Sequence, residues 1–132
     1  MGYTVQEGCS QDVERELTAT VLVLSDGVTS AVVVGLDLLF VPMPYSDRIR
    51  AAIGQRLGIP GENVLLNGSH THLDPMFPGW QQEESPQRGL QERYVEHLEE
   101  VLVGAASTAW SKRQPARLGS GRGASSAGSQ SA

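Results

Sequence analysis

His70, His72 and Asp74 alternate along the segment Ser69-His70-Thr71-His72-Leu73-Asp74, and this spacing is the first chemistry the chain offers. In extended backbone, residues two apart project from the same face, so both imidazoles approach one metal or one substrate. Neutral imidazole is a good zinc ligand, and a carboxylate beside it either binds the metal or orients a ligating ring. A zinc site needs three or four ligands, and only this cluster is visible in the sequence. On the motif alone, a pair of solvated loop histidines and one part of a metal site are equally good readings.

The other residues that can do chemistry read as structural. His97 lies among Glu96, Glu99 and Glu100 in a helical pattern, the setting of a solvated surface residue. The single Cys9 excludes an intrachain disulfide framework and a Cys-rich zinc ribbon. Gly119-Ser120-Gly121-Arg122-Gly123 has the glycines of a phosphate loop, but no amphipathic helix follows to aim N–H groups at an anion. A flexible strand exit is the better reading there. Trp110 ends an apolar helical stripe and reads as core, while Trp80 stands in a Pro-rich loop.

Elements must hold the histidines in place, and the pattern predicts which. Leu17 to Leu24 and Ala31 to Leu36 are β-branched runs, joined by Ser25-Asp26-Gly27, whose Asp-Gly pair suits an antiparallel hairpin. Ile49, Ala52, Ile53 and Leu57 recur at helical spacing, with starts at Pro44 or Ser46 and a stop at Gly58. Pro60-Gly61 turns the chain into a strand at Val64 to Asn67, so His70 and His72 are expected at its C-terminal end. Leu73 to Gly89, with Pro75, Pro78 and Pro86, reads as a long loop. Leu90, Tyr94, Leu98, Val101, Leu102, Ala105 and Ala109 mark a second helix, and Pro115 to Gly121 a last strand. The fold expected is α/β: an N-terminal β-hairpin followed by αβαβ crossovers, with ligands beyond the strands' C-terminal ends.

Composition bounds what this unit does. A chain of 132 residues, 39% hydrophobic and 19% charged, is one soluble globular domain, expected over residues 1–123. Residues 124–132 contain only Ala, Ser, Gly and Gln and read as a disordered tail. A net charge of −5 without clustered Lys and Arg argues against a nucleic-acid partner. The longest apolar run, Ala31 to Val41, contains Asp37 and is far shorter than the roughly 20 residues of a membrane span. The first residues show no basic-then-apolar secretory signal, and the compartment stays open.

The run Asn63-Val64-Leu65-Leu66-Asn67-Gly68-Ser69-His70-Thr71-His72, with Pro75 after it, resembles the neutral/alkaline ceramidase segment in which a strand leads into His-Thr-His-Ser-Gly-Pro. Leu17 to Gly27 is similar to that family's opening hairpin and Gly35-Leu36-Asp37-Leu38-Leu39 to its next strand. Arg56 to Val64 and Pro115 to Gly123 are also similar, so the resemblance covers most of Leu17 to Gly123. It implies a piece of a larger mixed-sheet catalytic domain that hydrolyses the amide of ceramide, a lipid-like substrate, using Zn2+. Relatives of full length are often secreted or membrane-associated. By the resemblance His70 is a zinc ligand, His72 faces the substrate's reacting group and Asp37 supports them from behind; Asp74 enters by its spacing alone, to bind the metal or orient a ligating ring.

Leu73-Asp74 stands where the family has Ser-Gly, and the His-Asp-Pro that precedes the family's first strand is not found before Leu17. The family's second zinc histidine, its zinc-binding Glu and Tyr and its catalytic Ser lie downstream of the region matched. The zinc site is therefore expected to be incomplete in this chain, the rest of the catalytic domain missing and the chain inactive alone. Two alternatives stand beside this reading. Ser69 to Asp74 also resembles the His-x-His-x-Asp-His signature of metallo-β-lactamase-like hydrolases, with Pro75 in place of the last His. The other is a folded piece or interaction module without catalysis.

Overall fold

Two valine-rich segments pair first. Strand β1 (Ala19–Ser25) runs antiparallel to β2 (Ser30–Leu36), in a register from Ala19 opposite Leu36 to Ser25 opposite Ser30. Asp26 makes the turn between them, because its Oδ1 accepts the N–H groups of Val28 and Thr29 at 2.9 and 2.7 Å. Those bonds hold the Asp26 carboxyl below its ordinary range. The computed structural model describes residues 12–13, 15–79 and 86–124; Cys9, Trp80 and nearly all of the expected tail lie outside them.

Helix α1 (Met43–Leu57) carries the chain from β2 to β3 (Val64–Gly68), which pairs with β2 in parallel, from Val32 opposite Val64 to Leu36 opposite Gly68. Pro44 sits in the first turn of α1, where its missing N–H costs nothing, and Gly58 ends the helix in the left-handed conformation. A short 3-10 turn at Gly61–Asn63 leads into β3, and the Asn63 side chain donates to Ser30 O at 3.0 Å. Helix α2 (Arg88–Ser111) then packs on α1 and β1. The chain is thus a small α/β unit, a three-stranded mixed sheet in the order β1-β2-β3 with two helices.

The core lies between the sheet and its helices. Alternate residues of β2, Val32, Val34 and Leu36, are buried with Val64, Ile49, Ile53, Val95, Leu102 and Ala106. Each large aliphatic side chain fully buried here contributes about 1.5–3 kcal/mol. Leu22, Leu24 and Leu65 remain exposed. Arg48 forms an ion pair with Glu99, and Arg56 Nε donates to Ser107 Oγ at 3.1 Å, so polar contacts edge the α1–α2 seam.

Two expectations change. Leu90 and Val101 are 60% and 45% exposed, whereas Val95 and Ala106 are buried. At about 100° per residue, Leu90 and Val101 lie roughly 120–140° away from the line of Val95, Leu102 and Ala106, so the buried stripe is rotated from the one predicted. Pro115 to Gly121 forms no strand, and residues 112–124 are exposed. A strand requires a partner's ladder; Pro115 lacks an N–H to give, and Gly119 and Gly121 have no side chain to bury. Trp110 is half-buried beneath the guanidinium of Arg113, 3.6 Å from its ring centre, and His97 is exposed as expected. No described helix is long and apolar enough to cross a membrane.

Candidate functional site

Parallel pairing brings the histidine segment beside the exit of β2. Beyond Gly68 the ladder continues informally: Ser69 N–H donates to Leu36 O at 2.8 Å, and His70 N–H to Leu38 O at 3.0 Å. A Cβ at Gly68 would lie 2.9 Å from Leu38 O and 3.3 Å from Leu39 O, so only glycine lets the two segments approach this closely.

The chain then turns at His70, whose φ of 65° is left-handed. Histidine is among the residues that enter this region more readily, and the two bonds from Ser69 N–H and His70 N–H fix the chain that leads into it. The extended His-x-His-x-Asp strand expected from the spacing is therefore replaced by a turn. Its outcome is still convergence: the rings of His70 and His72 meet edge to face, centres 5.0 Å apart and planes at 89°. His70 Nδ1 lies 3.3 Å from Leu39 O. A carbonyl only accepts, so the proton belongs on Nδ1 and the neutral ring presents its Nε2 lone pair outward. His70 is exposed and His72 half-buried, with Nδ1 of His72 sealed from solvent.

Asp74 is the buried polar side chain of this region, 3% exposed. Its Oδ2 accepts Leu39 N–H at 2.9 Å, so the Leu39 peptide grips both the first and the last residue of the motif. Phe77, between Pro75 and Pro78, anchors its segment against Tyr45 of α1 and Tyr94 of α2, ring centres 5.3 and 6.4 Å away. Burial pushes Tyr94 up to about 12, with the Asp74 charge adding to it, so its hydroxyl stays protonated.

Asp37 uses its carboxylate on the backbone frame. Oδ2 accepts Thr18 Oγ1–H at 2.6 Å and Thr18 N–H at 3.0 Å, and Oδ1 receives Ser69 Oγ at 3.5 Å. The Thr18 bonds, first the hydroxyl and then the N–H, hold Asp37 below the usual carboxylate range. Asp37 thereby ties the start of β1 and the end of β2 to the residue before His70. The sequence pointed to His70, His72, Asp37 and Asp74, and all four surround the same turn. It passed over Thr18, Ser69, Tyr45, Phe77 and the Leu39 peptide, of which the isolated Phe77 between prolines was the one readable signal.

Two imidazoles on one tetrahedral zinc, each with Zn–N about 2.0–2.1 Å, stand with ring centres roughly 5 Å apart. The His70–His72 separation of 5.0 Å suits that arrangement. Among the described residues no three of His, Cys, Asp and Glu gather where one ion would be held, and a zinc site requires three or four ligands. Comparison with known protein families, curated proteins and solved structures gives no match.

Proposed function

We propose that this chain carries the first histidine turn of a zinc-dependent amide hydrolase of the neutral/alkaline ceramidase type. The observation that carries the reading is the edge-to-face His70–His72 pair, 5.0 Å between centres, just beyond the C-terminal end of a parallel strand. Sites in α/β sheets gather at that edge. His70, with its proton on Nδ1 toward Leu39 O, offers Nε2 to the metal. His72 faces the carbonyl of a ceramide-like amide and holds or passes a proton there. Zinc in such a site supplies a nucleophilic water at neutral pH and polarises the carbonyl. The remaining ligands and the groups that stabilise the oxyanion come from chain beyond the residues described.

On this reading the 132-residue chain does not hydrolyse ceramide at an enzymatic rate. Parts of one catalytic unit are strongly non-additive, so two histidines retain almost none of the whole activity rather than a share of it. Turnover of a fluorescent ceramide by the purified chain with added zinc is the assay, and a rate equal to the protein-free control is expected. Sustained turnover that is lost in both His70→Ala and His72→Ala would show a complete site. The family reading is tested by the genomic sequence that follows: a His, Glu and Tyr set continuing in any frame supports it, and its absence from every frame sinks it.

A further inference from the structure

Strand β1 is one edge of the sheet, whose order is β1-β2-β3. Which of its backbone groups face outward follows from two bonds that flank it, Asp37 N–H to Thr18 O at 3.0 Å and Asp26 N–H to Thr29 O at 3.2 Å. Both continue the β1–β2 register, and in an antiparallel ladder such bonded pairs alternate with unbonded ones. Thr20, Leu22 and Leu24 therefore bond to β2, while the N–H and C=O groups of Ala19, Val21, Val23 and Ser25 point away from it. Among the described residues nothing takes these groups up.

An edge strand is ordinarily guarded by a charge, a proline, a bulge or a covering element. Ala19–Ser25 has neither charge nor proline, and its register with β2 is unbroken. The core lies on the Val21 and Val23 side, which leaves Leu22 and Leu24 52% and 40% exposed on the other face beside the open edge. The opposite edge, β3, has five residues against seven and ends in Asn67-Gly68, both poor strand formers.

We infer that β1 pairs with β1 of a second copy of this chain, antiparallel about a twofold axis through Leu22, and that the two sheets become one. The occupant is a copy because the edge is complementary to itself. Centred on Leu22, the pairing sets Ala19 against Ser25 and Val21 against Val23, so every outward N–H and C=O finds a partner, about eight bonds in all. A standard interface carries about 10 ± 5. The chain's net charge of −5 makes two copies repel in general, but β1 carries no charge to set against a like one across this seam. Leu22 meets Leu22 and Leu24 meets Thr20, in the unbonded positions where opposed side chains stand closest. The strip that each copy covers, about 24 Å by 10 Å, is smaller than a stable complex requires, so the association is weak and reversible.

Sedimentation equilibrium of the unaltered chain, from about 10 μM to about 1 mM, should show monomer and dimer with a dissociation constant on the order of 100 μM. Leu22→Lys sets like charges opposite each other on the axis and should weaken the dimer about tenfold or more. Leu65→Lys, at a leucine equally open to solvent on β3, should leave it unchanged. Cross-linking reads the register in a Cys9→Ser background. Leu22→Cys should yield a disulfide-linked dimer on mild oxidation, because opposed Cα atoms of an unbonded pair stand about 4.5 Å apart. Leu24→Cys should not, because the two copies of that position lie ~14 Å apart along the seam. A chain that stays monomeric to about 1 mM overturns the inference. So does a dimer weakened by Leu65→Lys and not by Leu22→Lys, or one that cross-links through position 24 in place of 22. None of these measurements involves metal or substrate, so the inference stands or falls apart from the amide-hydrolase reading.

Discussion

Thr18 gives both its hydroxyl proton and its backbone N–H to one oxygen of Asp37, at 2.6 and 3.0 Å. The two residues flank the open end of the hairpin, and Asp37 N–H returns a bond to Thr18 O at 3.0 Å. Three bonds between two residues close the β1–β2 pair on the side nearest the histidine turn.

That closure makes stability depend on pH in a definite direction. The folded Asp37 carboxyl sits below its ordinary range, so the folded state binds its proton less readily than the unfolded chain. Its contribution is fully present above the ordinary carboxylate value and is lost as pH falls through the lower folded value. Asp26 titrates with the same sign but is common to both chains compared. Urea midpoints of the chain and of Asp37→Asn, measured from about pH 2 to 6, should therefore differ most at the upper end and converge in acid. A gap that stays constant across this range would mean that the charge is not what Thr18 binds.

A second consequence concerns the backbone of His70. A left-handed conformation costs a non-glycine residue about 1–2 kcal/mol, and removing Cβ relieves it. His70→Gly and His70→Ala both lose the imidazole and its bond to Leu39 O, yet the glycine variant should be the more stable by about 1 kcal/mol. The usual order of glycine and alanine is reversed. Thermal melts of the two variants decide it, and an alanine variant equal to or above the glycine one would show that the turn does not demand this φ.

How much of this was legible follows from what each signal encodes. The hairpin, α1, β3 and the placement of the histidines rest on local patterns, β-branched runs, an Asp-Gly turn, a 3.6-residue period and a glycine stop, and these elements stand where the patterns put them. The stripe of α2 was misjudged at Leu90 and Val101 because apolar residues also occur off the buried face, and only the sheet decides which line faces inward. Pro115 to Gly121 lacked what no local pattern supplies, a neighbouring strand to pair with. The His70 turn was hidden for a similar reason: it is held by the carbonyl of Leu38 and by the close fit of Gly68 against that same carbonyl, from residues thirty positions apart in the chain.

Gly54 tests packing against propensity. In an exposed helix, replacing glycine by alanine stabilises by about 0.5–1 kcal/mol. Here a Cβ would stand 2.7 Å from Ile59 O and 3.1 Å from Gly61 N, both backbone atoms of the turn that leads into β3. Gly54→Ala should instead destabilise by about 1–3 kcal/mol, as overpacking does. Chemical denaturation measures it, and a stabilised variant would show that the α1–β3 connection yields without cost.

The last prediction is the strength of zinc binding. Closed structural zinc sites bind with about 10–16 kcal/mol at neutral pH, using four donors. His70, preset by Leu39 O, with one further donor from His72 or Asp74 in the chain alone, supplies roughly half of that, or a dissociation constant of roughly 1–200 μM. Competition against a chelating indicator should find this weak binding in the unaltered chain. His70→Ala should weaken it about tenfold or more, and His97→Ala, on the exposed face of α2, should leave it unchanged. Stoichiometric zinc that survives a strong chelator and disappears in His70→Ala would mean a complete local site, with Asp74 leaving Leu39 N–H to become a ligand as in the metallo-β-lactamase-like pattern. Weak binding that is the same in His70→Ala would remove His70 from the metal altogether, and with it the observation on which the amide-hydrolase reading rests.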